Sequence, residues 1–476
     1  MSTAAWEALR GRLSGELTRP ADAGYDTARQ LQIVEYDRVR PDAIAFCAST
    51  ADVQACLTFA AEQGISVAPR SGRHNFAGWS TTEGLVVDTS RIDHVRGGGA
   101  TVGLGPGALA VEVVAALHQH GQQVVTGICP TVCMGGYLLG GGIGWQTRSS
   151  GPASDHVVSV DLVTADGQAV RASADENADL FWALRGGGGG NFGIVTGFEV
   201  RPVSVPSMTN FTLSWSWEHA LDLLERWQHW SSAGSRPLSS EIGALLVDAA
   251  PGAEPAVFMH GAYLGSQAEA DAALDELCQV AAPQLRLVGE LPYEQAMYQL
   301  YRVEGMSPRQ RRRAGDNPEA ALPRQPFQRE RHRLFTEPMG RHSLGEALEV
   351  FEQNRRAGQF RYFALMSLGG AANDVSSTET AYVHRDAQFL GKFALGGQNP
   401  DFDYDEEYVR AAEEWVGAGF SVLDPLSNGH SYVNYPDPAL RDWQWSYYGE
   451  NHARLAEVKK AWDPAGLFSF PQGVSA

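Results

Sequence analysis

Three glycine-rich segments lie close together in the chain, and they constrain the fold more than any other feature of the sequence. They occupy residues 70–78, 135–144 and 186–193 of a chain of 476 residues that contains 52 glycines. Glycine adopts left-handed backbone conformations freely and lets a ligand approach the main chain. One such segment alone can be a set of tight turns between packed elements. Three of them favour loops whose exposed backbone N–H groups bind an extended anionic ligand.

The order of the predicted elements excludes a dinucleotide-binding βαβ unit, in which the glycines follow a strand and open a helix. The run ADLFWALR at 178–185 predicts a helix before Gly186–Gly190, and IVTGFEV at 194–200 predicts a strand after them. No clear helix follows residues 135–144. A nucleotide bound by this chain would therefore contact glycine loops.

Apolar periodicity predicts a first lobe of mixed helices and strands and a second lobe of different character. ADVQACLTFAAEQG and ALAVEVVAALHQHG have helical spacing and end at Gly64 and Gly121. VVSVDLVTADGQAVRA predicts a hairpin around Asp166-Gly167. Beyond residue 204 glycine clusters are rare, and helices such as ALDLLERWQHW alternate with strands such as FRYFALMSL. We therefore predict an antiparallel sheet covered by helices in the second lobe.

Charge and composition exclude several classes of protein. The chain has 37 Lys plus Arg against 56 Asp plus Glu, a formal net charge of −19, which repels nucleic-acid phosphates. No run of about 18 apolar residues is present to span a membrane. The start, MSTAAWEALRGRLSGELTRP, predicts an amphipathic helix and not a secretory signal, and the five cysteines have no metal-ligand spacing. We expect a cytoplasmic protein without a metal site or structural disulfides, which binds neither nucleic acid nor membrane.

An arginine-rich stretch between residues 305 and 333 has two interpretations. It includes PRQRRR at 308–313. A run of charges commonly forms a solvated loop or a subunit contact. The alternative is a rim that contacts an acidic substrate.

Five motifs, in the same order along the chain, carry a resemblance to a known family. They are PRSGRHNFAGWS, GICPTVCMGGYLLGGGIG, LRGGGGGNFGIVT, YVNYPD and the ending YYGENHARLAEVKKAWDP. From about residue 30 to the C-terminus the sequence resembles the berberine bridge enzyme-like FAD-linked oxidases of the vanillyl-alcohol oxidase superfamily. The resemblance implies an α+β fold of two lobes with a PCMH-type FAD-binding domain.

The resemblance also implies a division of the chain into three parts. Residues 1–203 would form the FAD-binding domain, with a PCMH-type core at about 36–203, and residues 204–428 the substrate-binding domain. Residues 429–476 would return to the FAD domain. The protein would be a monomer or a homodimer that binds a small-molecule substrate.

Two nucleophilic side chains, His74 and Cys129, lie in these motifs. The resemblance implies FAD held by two covalent bonds, from His74 to the 8α-methyl group and from Cys129 to C6 of the isoalloxazine. A side-chain nitrogen or a thiolate is nucleophilic enough to add to the electrophilic flavin edge. Cys133, where relatives usually have glycine, would be an unpaired neighbour of the flavin. The other cofactor-binding residues implied are Arg70, Ser71, Gly72, Arg73, Asn75, Gly135, Gly140, Gly141, Gly142, Asn191, Gly193, Val195, Tyr448 and Asn451.

The second tyrosine of the YVNYPD motif, Tyr435, is the catalytic base that the resemblance implies. Oxidation of an alcohol requires a base within hydrogen-bond reach of the hydroxyl, and a tyrosine with a pKa of ~10 needs cations or donors to stabilise its phenolate. Some plant relatives have an assisting glutamate after a PHR motif. In VHRDAQFLGK that count reaches Gly391 or Lys392, so Tyr435 would act without that carboxylate. The predicted substrate pocket comprises Tyr432, Asn434, Ile143 and Lys392.

Val132, three positions after Cys129, corresponds to the position that gates oxygen in this family, where valine resembles the oxidases. The predicted function is an FAD-dependent oxidase that transfers a hydride from an alcohol or hemiacetal carbon of a sugar, glycoside or secondary metabolite to flavin N5. Reoxidation by O2 would release hydrogen peroxide. The alternatives are oxidative cyclisation or desaturation of a natural product at a C–N or C–H bond, and a flavin-containing drug-binding protein without turnover.

Overall fold

The computed structural model describes residues 2–397 and 404–476. Within those residues the chain forms two lobes of mixed helix and strand, which confirms the predicted α+β class. The amphipathic helix predicted at the start of the chain is present at Thr3–Arg10, with the hydroxyl of Ser2 accepting a hydrogen bond from the Ala5 N–H at 3.3 Å. No helix among the described residues combines the length and the apolar character that crossing a membrane requires.

Two small sheets form the framework of the first lobe. The first sheet contains β1 (Glu16–Thr18), β2 (Ala43–Phe46), β3 (Val67–Arg70) and β4 (Leu85–Asp88), in the order β1-β2-β4-β3. The second contains β5 (Val95–Arg96), β6 (Val102–Leu104), β7 (Val157–Val163), β8 (Ala169–Ser173) and β9 (Ile194–Val200), in the order β5-β6-β9-β7-β8. The antiparallel pair β7 and β8 is the predicted hairpin, and β9 is the strand predicted after the third glycine segment.

The second lobe is built on one antiparallel sheet, as predicted. Its described strands are β10 (Ser207–Ser216), β11 (Leu238–Leu246), β12 (Ala256–Tyr263), β13 (Leu285–Pro292), β14 (Phe327–Phe335), β15 (Gln359–Ser367) and β16 (Phe389–Gly397). Their spatial order is β13-β10-β12-β11-β15-β16-β14, and each neighbouring pair is antiparallel.

Alternation of side chains gives this sheet two different faces. On β16, Phe393 belongs to the core that the covering helices share with the sheet. Leu390 points the other way and packs in a separate cluster with Ile143 of the first lobe. Lys392, two residues after Leu390, shares that face. The sheet therefore presents one face to its helices and the other to the first lobe, where the glycine-rich segments lie.

The described helices connect these strands and cover the sheets. They are α1 (Thr3–Arg10), α2 (Tyr25–Ala28), α3 (Thr50–Gln63), α4 (Ala110–His118), α5 (Met134–Leu139), α6 (Thr147–Ser150), α7 (Ala178–Ala183), α8 (Ala220–Ala233), α9 (Gln267–Cys278), α10 (Tyr293–Leu300), α11 (Arg341–Glu352), α12 (Glu406–Leu423), α13 (Trp443–Tyr448) and α14 (His452–Trp462). Short 3₁₀ segments lie at Val34–Arg38, Ala153–His156, Trp217–His219, Gly370–Asp374, Asp424–Leu426 and Gly449–Asn451.

The second glycine-rich segment differs from the expectation of a loop. Helix α5 includes Gly135 and Gly136, although glycine is a poor helix former. Leu138 and Leu139 are buried in the main core of the first lobe and hold the helix in place. Tertiary packing thus overrides the local propensity of the glycines.

The C-terminal segment packs against the first lobe. The ammonium group of Lys459 on α14 is buried and donates hydrogen bonds to the carbonyl oxygen of Asn191 and to the carboxylate of Asp463, both at 2.7 Å. The phenol of Tyr448 on α13 donates to the carbonyl of Gly187 at 3.1 Å. These contacts place α13 and α14 beside the third glycine-rich segment.

The arginine-rich stretch joins the two lobes. Arg313 is buried and donates to the carbonyl of Leu31 at 3.1 Å and to the carboxylate of Asp316 at 2.7 Å. Arg324 donates to the same Leu31 carbonyl at 2.7 Å and pairs with Asp37 at 2.6 Å. Arg313 and Arg324 are thus used in contacts within the chain, whereas residues 307–310 of the same stretch are exposed and lie in a loop.

Candidate flavin-binding and active site

A long cavity lies between the glycine-rich segments of the first lobe and the C-terminal segment. Most of the residues predicted to bind the cofactor or the substrate line it. They are Arg70, Ser71, Gly72, Arg73, His74, Asn75, Cys129, Val132, Gly135, Ile143, Asn191, Gly193, Val195, Tyr432, Asn434, Tyr435 and Tyr448.

A second group of predicted residues is placed elsewhere. A Cβ at Gly140 would lie 2.1 Å from Oδ1 of Asn434, and one at Gly141 would lie 2.6 Å from the ring of Tyr382. A Cβ at Gly142, whose φ is +80°, would also clash with protein atoms. These three glycines are therefore required by packing within the protein. Lys392 lies on β16 of the second lobe. Asn451 donates a hydrogen bond to the Ser377 carbonyl at 2.7 Å.

The first glycine-rich segment presents a row of free backbone donors to the cavity. Among the described residues, none of the N–H groups from Ser71 to Asn75 donates a hydrogen bond to another protein group. Arg73 has a φ of +63°, a left-handed conformation that is strained for a residue with a side chain. Alternation of right- and left-handed residues turns successive N–H groups towards one point and forms an anion-binding concavity. This arrangement fits the pyrophosphate of a dinucleotide.

The side chain of Arg70 is used inside the protein. Its guanidinium is fully buried, pairs with Asp88 at 2.5 Å and donates to the Ala28 carbonyl at 2.9 Å. Burial opposes ionisation of Asp88, but the charges of Arg70 and Arg73 outweigh it and lower the pKa of that carboxyl. Arg70 thus fixes the end of β3, from which the free N–H groups project, while its Nη1 atom is buried without a hydrogen-bond partner among the described residues.

His74 enters the cavity as a neutral imidazole. Burial, together with the nearby charge of Arg313, lowers the pKa of His74 to about 4. Its Nε2 atom lies 2.8 Å from Oγ1 of Thr131, a residue that the sequence analysis did not single out. A neutral imidazole has one nitrogen with a free electron pair, which is the form needed for bonding to an electrophilic carbon.

Cys129 lies two residues before Thr131, and its side chain is open to the cavity. Burial of the sulfur in the protein raises the pKa of the thiol, and Lys392 acts in the opposite sense. Val132 lines the cavity beside it. Cys133 is buried, contacts the Gly107 carbonyl at 3.2 Å and has a strongly raised pKa, so it is an inert packing residue.

The YVNYPD motif forms one wall of the cavity. The hydroxyl of Tyr432 accepts hydrogen bonds from the Gly142 N–H at 2.8 Å and from the amide of Asn434 at 2.9 Å. Tyr435 stacks on Phe76 with ring centroids 5.6 Å apart, and its ring meets that of Tyr432 edge-on at 5.2 Å. The wall is therefore rigid, and it holds Tyr435 at the junction of the two lobes.

The second lobe contributes a polar cluster that the sequence analysis missed apart from Lys392. Lys392 on β16 pairs with Glu241 on β11 at 2.9 Å, and the phenol of Tyr362 on β15 donates to Glu241 at 3.0 Å. Burial disfavours the charged form of Glu241, but the charge of Lys392 outweighs the effect of burial. The pKa of Glu241 is therefore lowered. Glu330 on β14 completes the cluster. On β14, Gln328, Glu330 and His332 recur at alternate positions, and this pattern was the available signal.

The comparisons with known proteins agree with this arrangement. Residues 41–173 match a family described as FAD binding domain, and residues 431–475 match one described as berberine and berberine like. The chain is 29% identical to an uncharacterized FAD-linked oxidoreductase, YgaK, of Bacillus subtilis over 97% of each sequence. It is 29% identical to the carbohydrate oxidase of Microdochium nivale over 91% of this chain and 88% of that protein.

Solved structures share the whole architecture. BBE-like 1 of Physcomitrella patens matches with a TM-score of 0.87 and 24% identity, covering 99% of both chains. A glucooligosaccharide oxidase of Acremonium strictum, which carries a 6-S-cysteinyl, 8α-N1-histidyl FAD, matches with a TM-score of 0.86 and 23% identity over 99% of both chains.

The fold, the cavity and the FAD-binding match together define a flavin-dependent oxidoreductase. More particularly, its residues 41–173 and 431–475 match the FAD-binding and the berberine-like families, and its fold is that of the berberine bridge enzyme-like proteins, which confirms the resemblance seen in the sequence. Its cofactor is FAD.

Proposed function

We propose that this protein is an oxidase that removes a hydride from an alcohol or hemiacetal carbon of a sugar, a glycoside or a related secondary metabolite. The observation that carries the proposal is that His74, Cys129, Val132 and Tyr435 line one cavity. The similarity to a carbohydrate oxidase over 91% of the chain supports a hydroxylated substrate.

Bound FAD supplies an acceptor for a hydride, and the chain supplies the groups that hold the cofactor and handle the proton. The free N–H groups between Ser71 and Asn75 bind the pyrophosphate. His74 and Cys129 would hold the cofactor covalently, and the charge of Lys392 opposes the rise that burial causes in the pKa of the Cys129 thiol. The cavity that would hold the cofactor is lined by the glycine-rich segments and the C-terminal segment.

Tyr435 contacts the hydroxyl that is oxidised. Its stacking on Phe76 and its edge contact with Tyr432 fix the phenol in one orientation. A group that takes the hydroxyl proton as the hydride leaves contributes about 10²–10⁴-fold to the rate. Ile143, packed between Tyr432 and the sheet, makes the substrate side of this wall apolar.

Val132 would leave room for O2 beside the bound cofactor, and reoxidation there would give hydrogen peroxide as the second product. Its side chain is smaller than that of leucine and lines the cavity. Reoxidation by O2 requires only that a small molecule reach the flavin, so the size of this side chain controls the rate.

A panel of compounds tests the proposal. Cellobiose, xylobiose, glucose and coniferyl alcohol are mixed anaerobically with the holoprotein, and bleaching of the flavin absorbance is followed; air is then admitted and peroxide is measured. We expect bleaching by at least one hydroxylated compound, followed by stoichiometric peroxide. Bleaching only by amines would support oxidation of a C–N bond, and tight binding of ring compounds without bleaching by any of them would indicate a drug-binding protein.

A further inference from the structure

The segment that carries Cys129 is held from both lobes of the protein. After the cysteine, the first turn of α4 binds the segment. The N–H of Val111 donates to the Pro130 carbonyl at 3.1 Å, and the N–H of Ala110 donates to the Val132 carbonyl at 2.9 Å. Helix α4 belongs to the first lobe, so the part of the segment that follows Cys129 is fixed by the first lobe.

Before the cysteine, the main chain is held by the second lobe. Tyr301 directly follows α10 and is buried, and its phenol donates to the carbonyl of Gly127 at 3.0 Å. Among the described residues, no other donor reaches this carbonyl. Burial raises the pKa of Tyr301 well above its ordinary value, so the hydroxyl stays protonated and remains a donor. Because Gly127 lies two residues before Cys129, this hydrogen bond fixes the main chain next to the residue that carries the sulfur.

A second tyrosine of α10 supports the same stretch of chain at an earlier point. The amide of Gln146 donates to the hydroxyl of Tyr293, the first residue of α10, and to the carbonyl of Val124 at 3.4 Å. Val124 lies five residues before Cys129. Tyrosines at both ends of α10 therefore hold the chain that leads to the cysteine, one directly and one through Gln146.

The contacts of His74 differ from those of Cys129. His74 belongs to a loop of the first lobe, and its ring lies 2.8 Å from the hydroxyl of Thr131. Thr131 stands between Pro130 and Val132, whose carbonyls are the two that α4 holds. The imidazole is therefore placed by contacts within the first lobe, whereas the chain before the cysteine is placed by α10 and Tyr301.

We propose that Tyr301 is a positioning residue for Cys129: by holding the Gly127 carbonyl, the second lobe sets the sulfur at the place where it bonds the cofactor. This inference rests on the covalent attachment in the proposed function. A reacting group must be held by the residues around it if it is to meet its partner in the productive geometry. The bond through Cys129 therefore requires the contact with the second lobe, and the bond through His74 does not.

The formation of this bond balances with O2 as the oxidant. The thiol of Cys129 loses its proton, the sulfur bonds to C6, and the hydrogen on C6 leaves as a proton. An S–H bond and a C–H bond are thus replaced by one S–C bond. The electron pair that this exchange releases passes to O2, which takes up the two protons and becomes hydrogen peroxide. Tyr301 gives up no proton and is the same before and after the step.

Attachment of flavin to full-length Tyr301→Phe tests the proposal, because phenylalanine keeps the ring and removes the donor. The apoprotein is incubated with FAD in air, and samples are denatured over time to count free thiols, which fall by one per chain when Cys129 bonds, and the flavin that stays with the protein. Thiol loss should be slower than in the wild type by about 10-fold or more, since a small misplacement can cost a reaction up to about 10²-fold. Flavin retention through His74 should keep the wild-type rate. Peptide mapping should find flavin on the peptide of His74 and a free thiol at Cys129.

Two further variants separate positioning from damage to the fold. Tyr298→Phe removes a hydroxyl of the same helix that donates to Glu294 at 2.7 Å, and it should leave thiol loss and flavin retention unchanged. Tyr293→Phe removes the hydroxyl that holds Gln146, and it should slow thiol loss less than Tyr301→Phe does. If Tyr301→Phe does not fold, as judged by its thermal unfolding, Tyr293→Phe decides: an unchanged rate of thiol loss in that variant overturns the proposal.

The outcomes distinguish this proposal from the one on which it rests. If the wild type loses one thiol and folded Tyr301→Phe loses it at the same rate, the role of Tyr301 is overturned while the bond to Cys129 stands. Equal slowing of thiol loss and flavin retention in the folded variant would also overturn it, because a disturbance of the whole segment would explain both. If the wild type loses no thiol as FAD is incorporated, the bond to Cys129 fails and the positioning role fails with it. Oxidation of the hydroxylated compounds is measured separately, so the oxidase can stand in each case.

Discussion

The Nε2 atom of His74 lies 2.8 Å from the hydroxyl oxygen of Thr131. The pKa of His74 is lowered to about 4 by burial and by Arg313, so the ring is neutral at physiological pH. If Nε2 carries the ring proton and donates it to Thr131, the free electron pair lies on Nδ1, and the hydroxyl fixes which nitrogen is nucleophilic.

Thr131 should therefore control attachment of the cofactor to His74. In a Cys129→Ala background, we expect Thr131→Val to slow covalent incorporation of FAD and Thr131→Ser to preserve it, because serine retains the hydroxyl. The rate of incorporation into the apoprotein, measured as flavin fluorescence retained after denaturation, should be independent of pH near neutrality. It should fall as pH decreases through about 4, where the imidazole becomes protonated. Equal rates for valine and serine would contradict the role of the hydroxyl.

The two cofactor bonds can be tested one at a time. After acid precipitation, Cys129→Ala should retain flavin through His74, and His74→Ala should retain it through Cys129. The double variant should release all of its flavin, because only non-covalent contacts remain. Intact mass measurement of each protein checks the result, and complete loss of flavin from either single variant would show that the other bond does not form alone.

Val132 should affect reoxidation much more than reduction. Val132→Leu adds one methylene to a side chain that lines the cavity, and this fills space that O2 would use. We expect a slower reaction of the reduced protein with O2 in stopped-flow mixing and an almost unchanged anaerobic reduction rate. Val132→Ala serves as the opposite control, since it enlarges the same space; an unchanged oxygen rate in Val132→Leu would remove this residue from the gate.

The residues predicted on the cofactor side line one cavity, and each motif there is a continuous piece of chain. His74 and the free N–H groups beside it belong to one loop, and Cys129 and Val132 belong to another. A local pattern therefore carries the whole geometry. The antiparallel sheet of the second lobe was also predictable, from strands whose apolar residues alternate.

The polar cluster of the second lobe could not be found in this way. Alternation predicts that Glu330 and His332 share one face of a strand, but it does not say which strand is the neighbour. The pairing that brings Glu241 beside Tyr362 joins β11 to β15, which lie more than 100 residues apart in the chain. Sequence position suggested only Lys392, by its distance from the VHRD segment.

The buried ion pair between Arg70 and Asp88 should stabilise the first lobe strongly. Both side chains are fully buried, and Asp88→Asn would leave the Arg70 charge unpaired, at a cost of about 3–5 kcal/mol in the free energy of unfolding. Asp222→Asn breaks an exposed pair with Arg341 and should cost much less. Urea unfolding of the two variants measures the difference.

Because the pKa of Asp88 is lowered in the folded state, its contribution to stability is complete above the unfolded value of about 3.9 and is lost as pH falls through the lowered pKa. Similar losses in both variants would contradict a structural role specific to the buried pair.

Gly136 and Gly140 should differ in why glycine is required: Gly136 for room for the cofactor, and Gly140 for packing within the protein. It lies within α5 and lines the cavity, and a Cβ added there meets no protein atom within 4 Å, whereas a Cβ at Gly140 would lie 2.1 Å from Asn434. Alanine is the better helix former by about 1 kcal/mol, so Gly136→Ala should stabilise the apoprotein slightly while its methyl group occupies space along the path of the cofactor and lowers FAD loading. Gly140→Ala should instead destabilise the apoprotein by displacing Asn434. Thermal unfolding of both apoproteins, combined with the flavin content after incubation with FAD, gives opposite signs for the two effects. A Gly136→Ala protein that loads FAD as the wild type does would show that the cofactor does not pass close to α5.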